Sequence, residues 1–166
     1  MELILLRHAQ AEKPNPERYP DDDQRPLTET GIKRQRKVAT ALYAMGLRPN
    51  RIITSPRLRA RQTAEITAVA LGREGVLERS DALGEGYSPS AVLDMLGTCT
   101  PREVVMLVGH EPDLGVMAGL FLGPNAGPVL KFRKSAVLGL YFPRTPQPGE
   151  GTLEFFYQPN HLLSLR

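Results

Sequence analysis

Four consecutive apolar residues, Leu3 to Leu6, follow Glu2 and run directly into Arg7 and His8. An unbroken apolar run of this length predicts a buried strand over 2–7. A polar, aperiodic loop rich in Pro, Asp and Gln fills 9–26. The segment LTETGIKRQRKVATALYAMG then takes a helical period, with Thr28 as N-cap and Gly46 as the stop. Its apolar residues Ile32, Val38, Ala39, Leu42 and Tyr43 fall on one face. RIITS, 51–55, predicts a second strand. SPRLRARQTAEITAVALG predicts a helix with Ser55 at the N-cap, Pro56 at the first helical position and Gly72 beyond the end. A short strand is expected over 76–78 and a helix over 88–97, opened by Ser88 and closed by Gly97. EVVMLVGH, 103–110, is the clearest buried strand, and 111–123 a largely apolar helix with Pro112 in its first turn. SAVLGLYFP and GTLEFFYQ predict two antiparallel strands joined by a Pro/Gly loop over 144–151.

Strands alternating with helices and ending in a hairpin imply an α/β fold. The expected form is a three-layer α/β/α sandwich whose mixed, mainly parallel sheet ends in a C-terminal β-hairpin. At 166 residues the chain reads as one domain spanning 1–166.

Composition narrows the functional classes. Lys+Arg 21 against Asp+Glu 18 gives a formal net charge of +3, compatible with an anionic substrate. With 6% aromatic residues and no basic stripe in the sequence, no nucleic-acid partner is expected. Cys99 stands alone, so neither a disulfide framework nor a Cys-based zinc site is expected, and the reducing cytoplasm is the expected location. No signal peptide is read at the N-terminus, and no apolar run approaches the ~20 residues of a membrane span.

The chemistry lies in where polar residues fall. The first strand ends in Arg7 and His8, the second in Thr54 and Ser55 before an Arg-rich helix start, and the 103–110 strand in Gly109 and His110. Parallel strands bring all three ends to the carboxyl edge of the sheet, where open α/β proteins bind ligands. Helix N-termini near Ser55 and Glu111 add N–H groups there, making an anion site with phosphate as its natural occupant. Helical spacing puts Arg59 on the inward face with Thr63, Ile66 and Ala70. Arg57 and Arg61 fall on the wet side, where Arg61 can pair with Glu65. Neither histidine has metal-ligand spacing to a partner, so no metal and no cofactor are expected. A neutral imidazole among guanidinium groups suits attack on phosphorus, with Arg7, Arg59 and a second, protonated imidazole holding the phosphoryl oxygens.

LLRHAQAE, RPLTETG, SPRLRARQTAE, VGHEPDLG and KSAV, in that order, resemble the histidine phosphatase (phosphoglycerate mutase-like) superfamily, in particular its small SixA-type branch of phosphohistidine phosphatases. The resemblance implies that His8 is the phosphorylated nucleophile, that Arg7 and Arg59 bind phosphate, and that His110 is the second phosphate-binding histidine. RHA in place of the commoner RHG asks Ala9 to fit where space is short, while Thr28 and Gly31 read as the start of a helix. Relatives acting on alcohol phosphates use a carboxylic acid to protonate the leaving oxygen. Asp81 and Glu85 are the candidates here, with Glu85 the better placed in its loop. The implied activity is phosphohistidine dephosphorylation through a covalent phospho-His8 intermediate. The expected partner is a phosphohistidine-bearing protein, with the chain acting as a monomer away from membranes. The alternatives are a small-molecule phosphomonoesterase and a non-catalytic phosphate-binding protein.

Overall fold

Successive side chains of a strand point to opposite faces, and the run from Leu3 to Leu6 uses both. In the computed structural model, which describes residues 1–123 and 130–164, this run forms strand β1 (Glu2–Arg7). Leu3 and Leu5 enter one apolar core, and Ile4 and Leu6 enter another on the opposite side of the sheet. Burial on both faces is why the run shows no polar alternation.

Helix α1 (Glu29–Ala44) leads to β2 (Arg51–Thr54), α2 (Leu58–Leu71) and β3 (Leu77–Arg79). Helix α3 (Pro89–Gly97), β4 (Val104–Gly109) and α4 (Asp113–Leu122) follow, and then β5 (Val137–Tyr141), β6 (Thr152–Tyr157) and α5 (Pro159–Ser164). Among the described residues the six strands form one sheet in the order β3-β2-β4-β1-β5-β6. The pairs β2–β3, β2–β4 and β1–β4 are parallel, whereas β1–β5 and the hairpin pair β5–β6 are antiparallel. Val92 and Leu96 of α3 and Met117 and Phe121 of α4 close the first core. Val38 and Leu42 of α1, Ala64 and Leu71 of α2 and Leu162 of α5 close the second. The result is the expected mixed sheet between two helical layers.

Several local signals act as read. Thr28 Oγ1 accepts from the Gly31 N–H at 2.9 Å, and Ser88 Oγ from the Ala91 N–H at 3.1 Å. Gly46 and Gly72 take left-handed φ values of 83° and 64° after their helices, a conformation that glycine reaches without a Cβ penalty.

Other expectations are corrected. Ser55 is not a helix cap: its N–H still donates to Val108 O across the sheet at 3.0 Å, so α2 starts only at Leu58 with Arg57 as its N-cap. Pro112 likewise sits at the cap of α4, one residue before the helix. Tyr43 is 49% exposed, against the Arg48 guanidinium at 3.9 Å. Gln35 is buried on α1 instead, donating to Thr67 Oγ1 at 2.9 Å. The inward face of α2 is Ala60, Ala64, Thr67, Ala68 and Leu71 together with Arg59 and Thr63, whereas Ile66 and Ala70 are only half-buried. The sequence phase was therefore right for Arg59 and Thr63 and rotated for the rest. Helix α5 was not anticipated, because six residues are too few to display a period.

Candidate active site

The parallel register brings three strand ends level. Arg7 pairs with Gly109, and Thr54 with Val108, so the next residues out are His8, His110 and Ser55, with β4 in the middle. The His8 N–H donates to Gly109 O at 3.0 Å. The imidazole rings of His8 and His110 lie 5.1 Å apart between centroids, tilted by 52°. On its other side His110 Nε2 is 2.8 Å from Ser55 Oγ, in a fully buried bond.

His8 Nδ1 is 2.7 Å from the carbonyl oxygen of Ala9. A carbonyl can only accept, so Nδ1 carries the proton and the lone pair of the neutral ring sits on Nε2. Burial, followed by the charges of Arg59, Arg7 and Lys134, pushes the His8 pKa down to about 3 against the opposing Ala9 bond. His110 is pushed down to about 2 by burial, then by His8, Arg59, Arg57 and Arg7. The expected protonated second imidazole is therefore not the resting state, because two cationic rings cannot share this crowded, desolvated corner. When Nε2 of the neutral His110 ring accepts from the Ser55 hydroxyl, its proton rests on Nδ1. That nitrogen is buried without a partner among the described residues and is free to donate to an anion.

The arginines are held differently. Arg7 Nη1 donates to Phe132 O at 2.6 Å, and the Phe132 N–H in turn donates to Glu111 Oε1 at 2.6 Å. Burial lowers the Arg7 pKa, with Glu111 opposing. Arg59 is 4% exposed. Its Nη1 donates to Asp22 O at 2.9 Å and lies 3.2 Å from the Asp22 carboxylate, which also binds Arg25. Arg57 pairs with Asp23 at 2.8 Å, and among the described residues Arg61 and Glu65 form no ion pair. The loop over 9–26 is thus tied to the arginine side of the site through a short 3-10 turn at Asp22–Gln24 that composition alone does not reveal.

Helix α2 also explains its own wording. One turn after Arg59, Thr63 Oγ1 accepts from the Ala9 N–H at 2.9 Å while donating to Arg59 O at 2.7 Å. Gln62 Oε1 accepts from the Leu27 N–H at 2.8 Å. The same helix therefore carries Arg59 and fixes the backbone leaving His8. Ala9 is fully buried, as the short space at RHA suggested. Gly31 is required because a Cβ there would lie 2.0 Å from Gln10 O.

Among the residues singled out in the sequence, Arg7, His8, Arg59 and His110 come together at one rim. Glu85 is exposed, in the turn after a 3-10 segment at Asp81–Leu83, and Asp81 is exposed as well. Ser55 is at the rim as its strand end implies, but its bond to His110 was not read from the sequence, and Lys134 was not singled out. Ser55 passed for a helix cap, and Lys134 is a surface lysine whose pKa is lowered by burial, Arg7 and Arg25. Among the described residues no group of three His, Cys, Asp or Glu side chains is placed to hold a metal, and no helix is long and apolar enough to cross a membrane.

Comparison with known proteins gives a consistent picture. The family model for the histidine phosphatase superfamily (branch 1) matches residues 3–87. An uncharacterized protein of Picosynechococcus sp. is 36% identical over 147 residues, covering 84% of each chain. A structure of the protein histidine phosphatase SixA complexed with tungstate superposes with a TM-score of 0.84 at 26% identity, covering 98% of this chain and 99% of that one. A protein assigned as phosphohistidine phosphatase SixA from Agrobacterium tumefaciens gives 0.79 at 25% identity, covering 95% and 97%. Phosphoserine phosphatase from Entamoeba histolytica shares the fold, with a TM-score of 0.66 at 18% identity over 98% and 99% of the two chains.

Proposed function

The chain belongs to the histidine phosphatase superfamily, and we propose that it is a phosphohistidine phosphatase, acting on a cytoplasmic phosphohistidine-bearing protein through a phospho-His8 intermediate. His8 Nε2 attacks phosphorus as the P–N bond to the substrate imidazole breaks, and the imidazole departs with its own proton. Water then cleaves the new P–N bond, releasing phosphate and restoring neutral His8. Arg7, Arg59 and His110 Nδ1–H hold the three phosphoryl oxygens, so the charge spread over them meets donors already in place. The incoming phosphoryl group displaces the Asp22 carboxylate from Arg59.

Support for His8 as nucleophile is its bond to Ala9 O, which keeps Nε2 unprotonated. Support for an imidazole leaving group is the charge around that ring: Arg59, Arg7 and Lys134 all act on His8. The carboxylate nearest to Arg59, Asp22, is kept ionised by Arg25 and Arg59 and is a poor proton donor, so the leaving group must depart without help, as a protonated imidazole does. The two SixA matches agree with this reading.

A phosphomonoesterase is the second reading. It is favoured by one feature, the position of Glu85 next to Gly84, whose backbone packs against Pro56 close to the Ser55 hydroxyl.

Phosphohistidine, phosphoserine and an aryl phosphate offered side by side, with EDTA present, test the proposal. Phosphohistidine and the aryl ester should turn over, phosphoserine poorly, and quenched enzyme should carry acid-labile phosphate that His8→Ala lacks. Acid-stable phosphate, or normal turnover by His8→Ala, would sink the covalent mechanism. Inactivation by EDTA reversed by a divalent metal would place the enzyme in another mechanistic class.

A further inference from the structure

The cations around the site fall into two groups. On one side Arg25, Arg57 and Arg59 are each paired with Asp22 or Asp23. On the other, Arg7, Arg34, Arg133 and Lys134 line an open groove of about 350 Å³ whose remaining walls contain no carboxylate. A second depression of about 500 Å³ continues from it, sharing Arg133 and Asn160 and adding Lys131. Among the described residues none of these five cations is paired with a carboxylate.

The groove is held by the scaffold. Asn160 of α5 accepts a hydrogen bond from Arg34 of α1. Gln158 bridges the strip above it, donating to Lys131 O at 2.9 Å and accepting from the Arg133 N–H at 3.1 Å. Arg7 belongs both to this groove and to the end of β1 that carries His8. Five cations lining one groove with no carboxylate among its walls make it a locally positive surface.

We propose that this groove docks an acidic face of the substrate protein, an inference that rests on the phosphohistidine reading. One phosphoryl group is already matched by Arg7, Arg59 and His110. A small ester has at most one or two further negative charges for Lys131, Arg133 and Lys134 of one stretch and Arg34 of α1. Carboxylates spread over a folded or extended polypeptide can meet all of them. Contacts of this kind raise the association rate and discriminate among partners more than they add raw affinity, which suits an enzyme that must meet its substrate and release it.

The test uses three synthetic peptides carrying one phosphohistidine flanked by Glu, Gln or Lys, and an aryl phosphate as control. The wild type is compared with a double variant, Lys131→Glu with Arg133→Glu, both exposed positions outside the phosphate site. At low ionic strength kcat/KM for the Glu peptide should exceed that for the Gln peptide by about tenfold. The advantage should shrink with added salt and vanish in the double variant, while aryl phosphate turnover stays within about twofold. Equal kcat/KM for the peptides, or an advantage that survives charge reversal, overturns the docking role. Anisotropy of the labelled, unphosphorylated peptides on His8→Ala protein separates this from the underlying reading. If the wild type cleaves the aryl phosphate and no phosphopeptide, the phosphohistidine reading fails. The groove is then decided by binding alone: a salt-sensitive preference for the Glu peptide lost in the double variant upholds acidic docking, and its absence ends it. A single-stranded oligonucleotide that displaces the Glu peptide, and loses that ability in the double variant, would reassign the groove to nucleic acid.

Discussion

Ser55 Oγ and His110 Nε2 share a buried hydrogen bond of 2.8 Å that ties the end of β2 to the end of β4. The bond fixes the ring and leaves its Nδ1 as the nitrogen available to an anion. Ser55→Ala strands a buried ring nitrogen, which should lower unfolding stability by about 1–3 kcal/mol. It should also cut kcat/KM by about tenfold or more, through KM for the phosphorylated substrate as well as kcat. Denaturant unfolding and steady-state kinetics on the same preparation check both. Activity within twofold of wild type would mean that His110 needs no such brace.

The three arginines of the α2 start should separate widely. Arg59 is buried at the rim, and losing a charge-assisted phosphate contact there should cost about 2–4 kcal/mol in transition-state binding. Arg57 is half-exposed and paired with Asp23, and Arg61 has no ion pair among the described residues. Their alanine variants should change kcat/KM only a few-fold, as surface charges do. A larger loss at Arg57 than at Arg59 would show that phosphate enters from the other side of the Asp22–Asp23 turn.

What could be read from the sequence was what local pattern determines. The strands are legible because they are apolar throughout, and the rim because Arg7, His8 and His110 end such runs. Ser55 was misassigned because Ser-Pro before a helical period is a helix-start signal, and the bonds that overrule it reach Val108 and His110, far along the chain. Gln35 and Tyr43 exchanged places for a similar reason: a buried amide is tolerated because Thr67, on another helix, accepts its proton. The Asp22–Arg59 contact spans 37 positions and lies in a loop without period, so no spacing rule could propose it.

Acid should destabilise the protein through its histidines before its carboxylates. His8 and His110 are held at about 3 and about 2, mainly by burial, against an ordinary value of 6.5. Between about pH 6.5 and pH 3 the unfolded chain therefore binds protons that the folded one refuses, so stability rises with pH through that window. The contribution is complete above the unfolded value and is lost as pH falls through the window. Urea unfolding from about pH 7 down to about pH 5, where carboxylates stay largely ionised, should show a declining stability. His8→Asn should flatten that decline. Identical slopes in the two proteins would mean that His8 titrates normally in the fold.

Glu85 decides what kind of leaving group the enzyme serves. Its turn is anchored by Gly84, where a Cβ would meet Pro56 Cδ at 2.9 Å, yet the Glu85 side chain itself is exposed. An alkoxide needs a proton as it departs, and a positioned acid supplies ~10²–10⁴ in rate. A protonated imidazole, or a phenolate with its low pKa, needs far less. With Glu85 in solvent and Arg59, Arg7 and Lys134 acting on His8, Glu85→Gln should leave phosphohistidine and aryl phosphate hydrolysis almost unchanged. Alkyl phosphates should be poor substrates for wild type and variant alike. If Glu85 instead swings over the site, the substitution should selectively damage alkyl esters and spare the activated ones. Efficient wild-type turnover of alkyl phosphates that collapses in Glu85→Gln would make the enzyme a general phosphomonoesterase, because only a leaving group unable to depart alone responds to the loss of that proton.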